Sequence, residues 1–121
     1  MQGQAAPEEM TGFFPVTDLD AIEDGEMEPF TLEGRAIVVA RDDGSTYAFD
    51  ESCTHKRCSL LDGEVEDGVV SCPCHGAEFD LATGDVLVGP ATIPLPVHQI
   101  RVVEGKVLIR LSSVPSLEDT F

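Results

Sequence analysis

"AIVVARDDGSTYAFD", residues 36–50, reads as two short strands about a tight turn. Ala36 to Arg41 and Thr46 to Asp50 are rich in β-branched and aromatic side chains, which suit a pleated, half-buried surface. Asp43-Gly44 between them tolerates the positive φ angles of a two-residue turn, so Val39 to Phe49 forms a hairpin. The run "AIVVA" at 36–40 is the purest apolar stretch of the chain. It falls far short of the roughly 18 to 20 residues that a membrane span needs and fits a buried strand.

The same punctuation recurs outward in both directions, at Glu23-Asp24-Gly25, Asp62-Gly63, Asp67-Gly68, Thr83-Gly84-Asp85 and Glu104-Gly105. Each supplies residues suited to positive φ at a tight turn. Between the turns lie further strand-like runs: Phe13 to Thr17, Met27 to Leu32, Val69 to Cys72, Val97 to Val103 and Lys106 to Leu111. Ile100 to Ile109 reads as a second hairpin, about Glu104-Gly105. "VTDLDAIEDGE", residues 16–26, offers one short helical turn capped by Thr17 or Asp18. The expected fold class is all-β, an antiparallel sandwich or barrel.

A chain of 121 residues is one domain by length. Residues 1–12 and 112–121 are polar and acidic, and are expected to be tails flanking a domain at 13–111. With 23 Asp and Glu against 7 Lys and Arg, the formal charge is -16. Such a surface repels a phosphate backbone and anionic lipid, so neither nucleic acid nor a membrane is an expected partner. A partner with a basic face fits, and so does plain solubility in a salty cytoplasm. The start, "MQGQAAPEEM", has neither a positive n-region nor an apolar h-region, and the expected location is cytoplasmic.

The chemistry lies in two clusters, Cys53-Thr54-His55-Lys56-Arg57-Cys58 and Cys72-Pro73-Cys74-His75-Gly76, which hold all four cysteines and two of the three histidines. Buried core thiols would follow strand periodicity, whereas these six donors sit in loops flanked by Gly and Pro. A structural zinc site takes four ligands, which leaves two donors surplus, and neither cluster has the common C-x2-C or H-x3-H spacing. Two plain disulfides leave the histidines unexplained, and a reducing cytoplasm seldom keeps them. A third reading starts from a spacing that takes one Cys and one His from each cluster: C-x-H, sixteen intervening residues, then C-x2-H.

That pattern, with its surroundings "CTHKRCSLLDGEVEDGVVSCPCHGAEFDLATGDV" and the later "GPATIPLP", resembles the Rieske iron-sulfur family over about residues 13 to 111. The resemblance implies a Rieske-type β-sandwich or barrel with a small inserted cluster-binding subdomain, its loops within about 50–85. It implies one [2Fe-2S] cluster per chain, with Cys53 and Cys72 as thiolate ligands of one iron and His55 and His75 as imidazole ligands of the other. Cys58 and Cys74 match the pair that is bridged in Rieske proteins of the cytochrome bc type and that soluble dioxygenase-type ferredoxins usually lack. The family further suggests that Leu60, Gly76 and Pro90 shield the cluster. Lys56 and Arg57 fall at the loop tip, where they read either as plain solvated surface or as a local positive patch that orients a docking partner. High-potential members resemble "HGS" followed by Tyr, where this chain has Ala77 and Phe79. Without those hydroxyl donors a potential in the lower half of the Rieske range is expected.

Oxygenase catalysis would need two more histidines and a carboxylate for a mononuclear iron, yet only His98 remains, read as a surface or half-buried strand residue. No G-x-G-x-x-G is present to hold a flavin or nicotinamide. The expected role is therefore a soluble one-electron carrier rather than an enzyme. It would pass electrons from a flavin-dependent ferredoxin reductase to a terminal ring-hydroxylating oxygenase, as a monomer or weak oligomer. Two alternatives are a Rieske-like redox subunit of a larger oxidoreductase, such as nitrite reductase, and a zinc-stabilised interaction module.

Overall fold

A computed structural model describes residues 12–54, 58–74 and 76–112. The expected tails therefore lie, apart from Gly12 and Ser112, outside the described residues. Among the described residues ten antiparallel strands form two sheets: β1 (Phe14–Asp18), β2 (Met27–Leu32), β3 (Arg35–Asp42), β4 (Ser45–Asp50), β5 (Glu64–Glu66), β6 (Val69–Ser71), β7 (Glu78–Asp80), β8 (Val86–Val88), β9 (Val97–Val103) and β10 (Lys106–Arg110). A six-stranded sheet runs β1-β10-β9-β4-β3-β2, and a four-stranded sheet runs β5-β6-β7-β8. The all-β class and both expected hairpins are present.

Four hairpins close on two-residue acid-glycine turns: Glu33-Gly34, Asp43-Gly44, Asp67-Gly68 and Glu104-Gly105. Both residues of each turn have positive φ, 51° to 56° for the acid and 78° to 83° for the glycine. This twist matches the right-handed twist of the flanking strands. Gly63 is different, with φ outside the positive region. It is a glycine because a Cβ there would collide with the carbonyl oxygen of Ser71.

Strand β3 explains why "AIVVA" carries no alternation. Ile37 and Val39 point into one apolar cluster with Ile22, Ala48, Val107 and Ile109. Val38 and Ala40 point the other way, into a second cluster with Phe49, Val70, Phe79, Leu81 and Leu95. All four residues from 37 to 40 are fully buried. The small sheet covers the face of β3 and β4 that would otherwise meet water, so the run is apolar on both faces. Each Val or Ile buried in this way contributes about 1.5–3 kcal/mol.

Several sequence readings need correction. Strands β5, β7 and β8, each of three residues, went unread, whereas β6, of the same length, was read because Val69-Val70 lies beside the Asp67-Gly68 turn. The helical turn is a single 3-10 turn, Leu19–Ala21. Asp18 occupies its cap position but makes no capping bond, because its carboxylate instead binds Lys106 Nζ at 2.6 Å. His98 is buried, with its side chain fully enclosed.

Candidate metal centre

Two loops of matching construction project from adjoining hairpins. In the first, Cys53 N–H donates to Cys58 O at 2.8 Å, above an isolated bridge between Ser52 and Ser59. In the second, Cys72 N–H donates to Ala77 O at 2.7 Å, above the paired residues Ser71 and Glu78 of β6 and β7. Each loop is thus a six-residue tip whose first residue is a cysteine at the root. Ser59 Oγ donates to Glu51 Oε2 at 2.8 Å, and Leu60 N–H to Glu51 O at 2.8 Å, fastening the first root.

A disulfide, Cys58–Cys74, ties the two loops together with a Cα–Cα distance of 6.4 Å, within the usual span. Cys53 and Cys72 lie outside the bridge, and both are buried. Both belong to one apolar cluster with Leu60, Ala77, Phe79, Ala91 and Leu95. The sequence-based site residues therefore separate by environment: Cys53, Cys72 and Leu60 buried, Cys58 half-buried, and Cys74, Gly76 and Pro90 exposed. His55, Lys56, Arg57 and His75 lie outside the described residues. Gly76 has φ 79°, and no other group among the described residues comes near the place a Cβ would take. Its backbone conformation, not a close approach to those residues, accounts for the glycine.

A third segment covers the pair of loops. Residues 89–96, which include Pro90, Pro94 and Pro96, contribute Ala91 and Leu95 to the cluster around the two thiols. Thr54 Oγ1 donates to Ile93 O at 2.6 Å, and Leu95 N–H to Gly84 O at 2.8 Å, so the segment is anchored on both flanks. Gly84 has φ 83°, and a Cβ on it would overlap the Leu95 carbonyl. Asp80 Oδ1 shapes the neighbouring turn by accepting from Ala82 N–H at 2.8 Å and Thr83 N–H at 3.1 Å.

Beneath the first loop lies a polar network that sequence reading missed. Asp50 ends β4, and its carboxylate accepts from Arg35 Nε at 2.8 Å, Arg35 Nη2 at 3.0 Å and His98 Nε2 at 2.9 Å. Ser112 N–H donates to His98 Nδ1 at 2.9 Å, so that nitrogen is the lone-pair acceptor and Nε2 carries the hydrogen donated to Asp50. Burial pushes the Asp50 carboxyl up, yet the hydrogen bonds from His98 and Arg35, aided by the Arg35 charge, outweigh it and hold its pKa below the ordinary 3.8. The aspartate ending an apolar run and the lone strand histidine were the only signals, and nothing in their spacing pairs them.

The Rieske [2Fe-2S] domain family matches residues 12–102, most of the chain. The protein belongs to the Rieske [2Fe-2S] family. It is 32% identical over 94 residues to the ferredoxin component of the naphthalene 1,2-dioxygenase system of Pseudomonas putida, covering 78% of this chain and 90% of that protein. The ferredoxin of carbazole 1,9a-dioxygenase from Nocardioides aromaticivorans superposes with a TM-score of 0.79 at 26% identity, covering 84% of this chain and 100% of that one. A chain of the complex of reduced oxygenase and oxidized ferredoxin in carbazole 1,9a-dioxygenase gives 0.78 at 28% identity, covering 85% of this chain and 98% of that one.

A [2Fe-2S] cluster fits the donor set. The disulfide uses two cysteines, and the two that remain stand at equivalent roots of facing loops within one apolar cluster. Thiolates enclosed by Leu60, Ala77, Ala91 and Leu95 are sheltered from water, which favours binding to metal over free charge. The protein is a Rieske [2Fe-2S] carrier, an electron-transfer component rather than a catalyst.

Proposed function

We propose that this Rieske protein is the ferredoxin of a multicomponent oxygenase system, taking single electrons from a ferredoxin reductase and delivering them to a terminal oxygenase. The observation that carries the reading is the pair of matching loops, each with a buried cysteine outside the disulfide at its root. The naphthalene dioxygenase ferredoxin component and the carbazole dioxygenase oxygenase-ferredoxin complex support the partner class.

In this reading Cys53 and Cys72 ligate one iron and His55 and His75 the other. The cluster supplies a one-electron couple, and two neutral imidazoles in place of thiolates set its potential at roughly -150 to +300 mV. The chain's own residues hold the thiolates apart from solvent through Leu60, Ala91 and Leu95. The Cys58–Cys74 bridge and the 89–96 segment keep the loops in register. Lys56 and Arg57 form a basic point where the partner docks, in a protein whose net charge is -16. The working unit is a domain at 13–111, cytoplasmic, and a monomer or weak oligomer. Among the described residues no helix is long and apolar enough to cross a membrane.

Electron paramagnetic resonance during a redox titration tests the reading. A Rieske-type signal on reduction, absent from Cys53→Ser and His75→Ala, is expected. A spectrum of four-cysteine type, or an unchanged signal in either variant, overturns the ligand assignment.

A further inference from the structure

The sulfur atoms of Cys58, Cys72 and Cys74 lie within 4.8 Å of one another. Two of them form the bridge, and Cys72 is a free thiol beside it. Cys53 does not belong to this three-sulfur group. A thiolate opens a disulfide by attacking one sulfur and displacing the other, so proximity of this kind places a nucleophile against its substrate within a single chain.

We propose that Cys72 is an intramolecular nucleophile toward the Cys58–Cys74 bridge, and that a chain not yet carrying its cluster isomerises to a Cys58–Cys72 bridge with Cys74 free. The Cys72 sulfur, having released its proton, forms a bond to Cys58 Sγ. The Cys58–Cys74 bond breaks, its electron pair leaves on Cys74 Sγ, and that thiolate takes up a proton. One disulfide and one thiol are present before and after, so no external oxidant or reductant is needed.

The surroundings favour attack at Cys58 rather than Cys74. Displacing Cys74, which is exposed, puts the leaving thiolate in water, whereas displacing Cys58 would leave a charge on a half-buried sulfur. Attack at Cys74 would also close a ring across Pro73 alone, whose fixed φ removes the freedom that disulfide geometry needs.

One consequence rests on the ligand set proposed above: the sulfur that binds iron is the sulfur that attacks the bridge. Loading the cluster would then protect the disulfide, and prior exchange would remove a ligand. The bridge acts as a record of whether the chain has been loaded.

The test uses the full-length holoprotein. Its iron is removed anaerobically with a chelator and no reductant, free thiols are alkylated, and non-reduced peptides are mapped by mass spectrometry. Expected is Cys58–Cys74 alone before stripping, and Cys58–Cys72 with alkylated Cys74 as the main linkage afterwards. Cys53→Ser should give the same product, while Cys72→Ser should keep Cys58–Cys74 under the same treatment. Retention of Cys58–Cys74 in the stripped wild type overturns the proposal. So does a statistical mixture containing Cys53–Cys58, which marks scrambling of an unfolded chain. Alkylation of Cys72 in holoprotein with an intact spectrum overturns the ligand reading and the protection drawn from it, while the linkage in the stripped chain decides the exchange itself.

Discussion

His98 Nε2 donates to Asp50 Oδ1 at 2.9 Å across the junction of β9 and β4, whose ladder has two paired positions, Ala48 with His98 and Phe49 with Val97, extended by Asp50 N–H to Pro96 O at 3.0 Å. The six-stranded sheet is therefore joined at its middle by few backbone bonds and by one buried side-chain network. Arg35 extends the network to β3 and reaches the C-terminal end of the domain at Ser112 O, 3.4 Å away. Removing Asp50 leaves the largely enclosed Arg35 without its carboxylate partner, and opening a buried pair costs up to about 3–5 kcal/mol. Asp50→Ala should lower the unfolding midpoint in urea by a corresponding amount. A loss no larger than that of a surface aspartate would show that the network is not what joins the sheet.

Acid dependence follows from the same carboxylate. Its folded-state pKa is lowered, so its contribution is present in full above the ordinary value of 3.8 and is lost as the pH falls through the lower folded-state value. The stability gap between wild type and Asp50→Asn should therefore be constant from pH 7 to pH 5 and narrow below about pH 3.8. Urea titrations of both proteins across that range check the sign, and a gap that widens in acid contradicts it.

Gly84 permits two things at once, a positive φ and the approach of the Leu95 carbonyl. Gly84→Ala should push residues 89–96 away from the loops they cover, with a loss of about 1–3 kcal/mol, typical of overpacking. Faster bleaching of the visible spectrum in the presence of a chelator would accompany it. Gly34→Ala, with no neighbour at the Cβ position, carries the φ strain alone and should leave the bleaching rate unchanged.

The disulfide closes a loop with a sequence separation of 16. Loss of a bridge of this span costs about 3 kcal/mol in the chain-entropy account. Cys58→Ser with Cys74→Ser should lower the melting temperature while leaving the visible spectrum of freshly prepared protein intact, since neither sulfur is a proposed ligand. A changed spectrum would place one of them on the metal.

Ala77 and Phe79 are buried and carry no hydroxyl. Hydroxyl donors toward cluster sulfurs stabilise the more negative reduced state, so this protein should titrate in the lower half of the roughly -150 to +300 mV range. Ala77→Ser combined with Phe79→Tyr should raise the potential. A wild-type value above about +200 mV would defeat the argument.

Strands of five or more residues were legible in the sequence because their β-branched runs and acid-glycine turns agree with one another, as at Asp43-Gly44 and Glu104-Gly105. The short strands about the loops were not, since Glu64–Glu66 and Glu78–Asp80 take their conformation from pairing with Val69–Ser71. The bridge between Cys58 and Cys74 was legible only through family resemblance. The Asp50 network escaped because its members lie 15 and 48 residues apart and meet only through strand order. Its histidine was read as a surface or half-buried strand residue because a lone strand histidine carries no sign of the Asp50 carboxylate it meets.

Strand β3, apolar on both faces, cannot report its own alignment. In an amphipathic strand a one-residue slip turns the oily side outward and is punished at once; here Val38 and Val39 could trade places with little loss. Proofreading of the pairing must then rest on the two turns at its ends, Glu33-Gly34 and Asp43-Gly44, whose left-handed residues admit only one alignment. Four residues outside both cores thus guard against misfolding, and a one-residue insertion there would do more harm than most substitutions among the valines.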